Sequence, residues 1–301
     1  MAKRFVSVGE CMIELSGGEA RQYRLGFAGD TLNAIWYARA GLPNDWITDY
    51  VTALGDDAYS AEMRDFLKSN GIGTEHIQTI PGRRPGLYLI RQEHGDRHFT
   101  YWRENSAARL LAEDPLALAA AFEGVDLIYF SGITLAILSA RGRGRLLKAI
   151  VKARNAGAKI AFDPNARPIL WKSPAVMGST MTVAAGLSDI VLPTFSDERA
   201  TFGDADAAAT RARYLELGVG EVVVKDGEAP ALLGFDGQLA AVPATRGTMV
   251  DATGAGDAFN GAYLAARLTG AGPVEAAQAA HRVAGLVIGQ RGALIDPKLL
   301  R

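Results

Sequence analysis

The sequence predicts an α/β fold of three layers, a mostly parallel sheet between helices, with a small antiparallel β layer beside one edge. Three observations carry this. From about residue 124 onward, short unbroken apolar runs alternate with helical segments. At the end of that series, ALLGF and LAAVPA flank the turn FDGQ. In the N-terminal third the runs are instead short, polar-aromatic and alternating.

The alternating series starts with VDLIYFSG (125–132), followed by an amphipathic stretch through Ala156 and AKIAFDPN (158–165). A helical stretch at 173–186, SDIVLPT (188–194), a helix through 217 and EVVVKDG (221–227) continue it. Apolar runs without alternation, separated by helices, indicate parallel strands covered on both faces. The FDGQ hairpin closes the sheet at an edge. CMIEL, QYRLGF, GLYLIRQE and RHFTYWR alternate instead, and the last two are joined by the turn HGD. They predict a small β layer from two separated segments, 11–29 and 84–104, with 1–10, 30–83 and 105–301 as the main body. A discontinuous layer of this kind suits a lid over a site or a dimerisation sheet, and the two roles can coexist.

Composition narrows the function classes. The chain has 301 residues and a formal net charge of −1, which gives no electrostatic footprint for nucleic acid or an anionic membrane. No stretch approaches the ~20 apolar residues of a membrane span. The apolar run in MAKRFVSVGE is too short for a signal peptide core and reads as a strand. A single cysteine, Cys11, rules out an internal disulfide and fits a reducing cytosol. The four histidines have no zinc spacing; His94 and His98 flank a Gly-Asp turn and read as a hairpin tip.

Several nucleotide and hydrolase motifs are missing: no G-x-x-x-x-G-K-[ST], no G-x-G-x-x-G in the opening segment, no G-x-S-x-G. What remains is DATGAGDAFNG (251–261), where Asp251, Gly254, Ala255, Gly256 and Asp257 lead into a helical stretch. Glycines at a helix start leave backbone N–H groups accessible, and with the helix dipole they suit a phosphate. An N-terminal Asp cap on a glycine loop is the plainer alternative.

The segment DATGAGDAFNGAYLA resembles the C-terminal signature of the ribokinase-type (PfkB) carbohydrate kinases, and GFAGDTLNAIWYARAG resembles their N-terminal one. GECMIELS, GDTLN, YVTALGDD, RPGLYLI, SGITLAILS, FDPNARPILW and RGA occur in the order found in 2-keto-3-deoxygluconate kinases. The resemblance spans nearly the whole chain. It implies a ribokinase-like fold, ATP and Mg²⁺ as cofactors, a small sugar acid as substrate and self-association through the β lid or the main body. In that family the GAGD amides hold the transferring phosphoryl group and Asp257 takes the proton of the sugar hydroxyl. Gly29, Asp30 and Asn33 fall in the sugar signature. Tyr88, Tyr101 and Arg103 fall on the lid hairpin, and Arg167 is expected to complete a pocket for a carboxylate. A planar guanidinium binds that group in a bidentate manner. Lys225 and Gly227, at the end of the VVVK strand, fall where the family places the nucleotide, and Asn165, like Arg167, follows the AKIAFD strand at another carboxyl-end crevice, where open α/β sheets bind ligands. Asp251 either binds a monovalent cation such as K⁺, as in some relatives, or caps its turn.

One motif departs from the family. Where many members have N-x-x-E near the metal, this chain has PTFSDERATFG; one register offers Thr194 and Asp197, the other Phe195 and Glu198. The competing readings are a kinase for fructose or the galactonate epimer, and a catalytically silent binding protein on the same fold. Intact GAGD opposes silence, and two arginines near the pocket oppose a neutral sugar.

Overall fold

The computed structural model describes residues 3–17, 22–93, 96–245 and 247–300. β1 (Lys3–Val8) starts the central sheet; β2 (Met12–Gly17) and β3 (Tyr23–Ala28) leave it, and α1 (Asp30–Gly41) returns to β4 (Trp46–Val51). β5 (Ala53–Leu54), α2 (Ala58–Ser69) and β6 (Gln78–Thr79) lead to β7 (Gly86–Glu93) and β8 (Asp96–Trp102). Next come α3 (Pro115–Ala121), β9 (Leu127–Ser131), α4 (Gly132–Ile137), α5 (Ala140–Asn155), β10 (Lys159–Asp163) and α6 (Pro174–Gly186). β11 (Ile190–Val191), α7 (Phe195–Phe202), α8 (Ala207–Glu216) and β12 (Glu221–Val224) follow. The hairpin β13 (Ala231–Phe235) and β14 (Gln238–Val242) precedes α9 (Ala255–Leu268) and α10 (Pro273–Ile288).

The main sheet has the order β14-β13-β12-β11-β10-β9-β1-β4. All its pairs from β12 to β4 are parallel, and β13 and β14 are antiparallel. Each central strand is apolar on both faces, as the unbroken runs require. Phe5, Leu127 and Tyr129 join the core with α1, α9 and α10; Val6, Ile128 and Phe130 join a second core with α3 to α6 and α8. Trp36, Trp46 and Trp171 are buried in these cores. β11 is shorter than SDIVLPT suggests, because Pro193 has no N–H to continue the ladder. Pairing resumes one residue later, at a parallel bridge between Thr194 and Lys225.

The small sheet has the order β3-β2-β7-β8. It is antiparallel within each chain segment, and the two segments join through the parallel pair β2–β7. The turn expected at His94 and Gly95 lies outside the described residues. Among those residues no helix is long and apolar enough to cross a membrane.

Helix starts differ in how they are capped. α2, α5, α6 and α8 are capped by Asp57, Ser139, Ser173 and Asp206, whose side chains accept backbone N–H bonds. α1 and α9 begin at Gly29 and Gly254, with no side-chain cap. These two helices pack closely, and Gly261 permits it: a Cβ there would stand 2.1 Å from the Ala34 carbonyl oxygen. Gly261→Ala is therefore expected to cost at least the ~1–3 kcal/mol typical of overpacking, read as a lower melting temperature. An unchanged melting temperature would show that this helix contact is not tight.

Candidate active site

The carboxyl ends of β1, β9, β10 and β12 converge on the uncapped starts of α1 and α9. Gly29 must approach closely here, since a Cβ would stand 2.2 Å from the Glu10 carbonyl oxygen. That approach sets Asp30 and Asn33 in the first turn of α1. Gly254 takes φ 75°, a left-handed conformation that glycine adopts freely, and turns the chain into α9 with Asp257 in its first turn. The Ala255 amide bonds back to the Ala252 carbonyl. The amides of Gly256 and Asp257 stand at positions where a helix supplies no internal acceptor.

Polar side chains from these ends form one network. Asn33 Nδ2 donates to Asp257 Oδ2 at 2.8 Å, and Asn165 Nδ2 donates to Asp30 Oδ2 at 2.8 Å. Asp163, at the end of β10, accepts from Asn260 Nδ2 at 2.6 Å and Lys225 Nζ at 3.3 Å. Lys225 also donates to Asn260 Oδ1 at 2.8 Å, while Asn260 Nδ2 reaches the Tyr129 hydroxyl at 3.1 Å. Asn165 has φ 34°, left-handed for a non-glycine residue, and its amide bonds the Asp163 side chain.

Crowding of carboxylates decides the electrostatics. Withdrawal from water and then the charge of Asp30 push the Asp257 carboxyl up to about 8; the Asn33 bond and the Lys225 charge oppose the rise. Asp30 is also raised, chiefly by burial, against bonds from Ser131 and Asn165. Burial beside a second carboxylate therefore favours the protonated form of Asp257. A carboxylate so perturbed is a better proton acceptor for an alcohol than an ordinary one, once the cluster ionises.

A cavity of about 970 Å³ opens over this network and the start of α9, between Lys225, Gly227, Gly254 and Asp257 on one side and Arg167 and Asp197 on the other. Arg167 is half-exposed there, and its Nη1 contacts Asp197 Oδ2 at 3.2 Å. Of the two registers for PTFSDERATFG, the first reaches the cavity: Thr194 and Asp197 line it. Glu198 turns into the protein, fully buried against Arg213 and Tyr214. Asp251 Oδ1 accepts the Thr253 amide at 2.8 Å and Oδ2 the Gly292 amide at 2.7 Å, so it ties the anion loop to the segment after α10.

The small sheet contributes a separate group. Tyr88 and Tyr101 are cross-strand partners with ring centroids 5.7 Å apart. The Tyr88 hydroxyl donates to Glu14. The Arg103 guanidinium lies 5.9 Å from the Tyr101 ring centroid and forms a buried ion pair with Glu10. Arg103 Nε and Glu10 Oε1 have no partner among the described residues. Asp163, Asn260 and Glu10 escape a reading that stops at glycines and isolated charges. The signal for Asn260 was available, because it lies one helical turn from Asp257.

A model of the pfkB family of carbohydrate kinases matches residues 2–299. This chain belongs to the pfkB carbohydrate kinases. The kinase is 40% identical to a 2-dehydro-3-deoxygluconokinase of Escherichia coli K12, over 98% of both chains. It is 36% identical to one of Haemophilus influenzae, over 98% of this chain and 96% of that one. A fructokinase of Vibrio cholerae, solved with fructose, ADP and calcium ion, superposes with TM-score 0.85 at 23% identity, covering 99% and 98% of the chains. A putative ribokinase II of E. coli, in complex with ATP and Mg²⁺, gives 0.84 at 24% identity, covering 97% and 94%.

The kinase's donors fit a hydrated magnesium nucleotide rather than a caged metal. Among the described residues no group of three His, Cys, Asp or Glu side chains could hold a metal ion. Hard oxygen donors, Thr194 and Asp197, nevertheless face the cavity.

The raised Asp257 carboxyl has a stability consequence. A group whose folded pKa is raised contributes stability at low pH that is lost as pH climbs from its unfolded value, 3.8, through about 8. Asp257→Asn is therefore expected to melt progressively higher than the native kinase between pH 5 and 9, without ligands. The difference should widen with pH, since each pH unit in that window is worth up to about 1.4 kcal/mol and about 1 kcal/mol moves a large domain by ~2–4 °C. A pH-independent difference would contradict the perturbed carboxyl.

Proposed function

We propose that the kinase phosphorylates 2-keto-3-deoxygluconate at the 6-hydroxyl with ATP, giving the 6-phosphate. The geometry that carries a kinase reaction is the pairing of Asp257 with the uncapped glycine start of α9 in one cavity. The sugar acid is supported by relatives at 36–40% identity over nearly the full chain, both 2-dehydro-3-deoxygluconokinases by name. Magnesium ATP supplies the phosphoryl group and offsets its charge. The amides of Gly256 and Asp257 hold the phosphoryl oxygens, and the absent side chain at Gly256 leaves their approach open. Asp257 orients the sugar hydroxyl and takes its proton late, because phosphoryl transfer has a largely dissociative transition state. Asn33 fixes the rotamer of Asp257, and Asp30 holds Asn165 at the floor.

Thr194 and Asp197 would hold a hydrated magnesium ion that neutralises phosphate charge, and Gly227 leaves room for the nucleotide beside β12. Asp251 braces the anion loop; a K⁺ ion there would have to share oxygens that already accept two amides. Residues 11–29 and 84–104 act as a lid that brings Tyr88, Tyr101 and Arg103 over the sugar. Arg103 and Arg167 read the carboxylate, with Glu10 holding Arg103 in place.

Coupled ADP release over a panel of sugars tests this reading. 2-Keto-3-deoxygluconate should be preferred over its galactonate epimer and over fructose, and Asp257→Asn should lower kcat by roughly 10²–10⁴. Arg167→Ala should lower kcat/KM for the acid by about ten- to a hundredfold, the loss of one charge-assisted bond. Fructose as the best substrate, or equal losses toward acid and neutral sugars, would contradict the carboxylate assignment.

A further inference from the structure

The charge inventory around Asp257 is lopsided. Asp30 and Tyr37 face it from α1, Tyr129 from β9, and Asp163 from the end of β10. Against these anionic or ionisable oxygens stands Lys225, from the end of β12. Its residue is buried, and Nζ is clamped between Asp163 and Asn260. Nζ stands 3.9 Å from where a Cβ would sit on Gly256, next to Asp257 in the chain. Asn260 is itself fixed by the Tyr129 hydroxyl and Asp163. The clamp therefore holds the ammonium beneath the first turn of α9.

We propose that Lys225 is a positioning residue for catalysis: clamped by Asp163 and Asn260, it offsets the surrounding carboxylates so that Asp257 can ionise near neutral pH. This rests on the assignment of Asp257 as proton acceptor. Lys225 also lines the cavity, but two of its three donors are committed to Asp163 and Asn260, which fixes Nζ whether or not the third meets a phosphate. An ammonium near a carboxylate favours the charged form, and Lys225 opposes the rise of the Asp257 carboxyl. Its removal makes the carboxylate harder to ionise, so the acidic limb of kcat/KM moves to higher pH.

The test is the pH dependence of kcat/KM for the sugar acid between pH 6 and 10, with ATP affinity measured separately, for the native kinase and its variants. Lys225→Met should move the acidic limb up by at least one pH unit. Activity at pH 7 should then fall about tenfold or more and recover toward pH 9–10, with ATP affinity changed less than threefold. Lys225→Arg should keep most of the native profile. Asn260→Ser, which removes one jaw of the clamp, should move the limb in the same direction by less, and it serves if Lys225→Met does not fold. Loss of ATP affinity with an unmoved limb in Lys225→Met would overturn the proposal and leave the Asp257 assignment standing. An acidic limb that persists unchanged in Asp257→Asn would instead overturn that assignment, and this proposal with it.

Discussion

Asp30, Asp163 and Asp257 come from three distant parts of the chain, and the fold brings them together at the carboxyl ends of its strands. Like charges in a partly dehydrated space repel, and the strength of that repulsion grows as water is excluded. The cluster holds because each carboxylate has a dedicated partner: Asn165 for Asp30, Asn33 for Asp257, Lys225 with Asn260 for Asp163. The residual tension is expressed as the raised Asp257 carboxyl. Much of the surrounding structure serves to maintain this arrangement.

Two helix starts make the arrangement possible. Gly29 allows the chain after β3 to touch the Glu10 carbonyl and aim Asp30 inward, and Gly254 sets the left-handed turn that aims Asp257. Gly261 then lets α9 lie close to α1, so that Asn33 on one helix meets Asp257 on the other. A change of a few tenths of an ångström at that contact would reach Asp257 directly. Stability and chemistry are coupled there through one helix pair.

The parallel sheet was legible because its strands are buried on both faces, which leaves unbroken runs such as LIYF and EVVV. The β7–β8 hairpin was legible through alternation, and the start of α9 through glycine density. Partnerships were not. Arg103 looks like a pocket cation in the sequence, yet its strongest contact is Glu10, ninety-three residues away and unmarked by any pattern. The clamp on Lys225 depends on the register that sets β12 near β10 and α9. Spacing alone gives Asn260 a side of its helix but no partner. The altered N-x-x-E segment allowed two registers, and burial of Glu198 against Arg213 is what separates them.

On the proposed reading, Asp257 carries a proton before the sugar binds and must yield it for the sugar hydroxyl to be engaged. Calorimetry in buffers of different ionisation enthalpy measures this directly, by titrating 2-keto-3-deoxygluconate into enzyme held with a non-hydrolysable magnesium ATP analogue at pH 7. Net proton release is expected on sugar binding, and it should be abolished in Asp257→Asn. Proton uptake, or release of equal size in the variant, would contradict it.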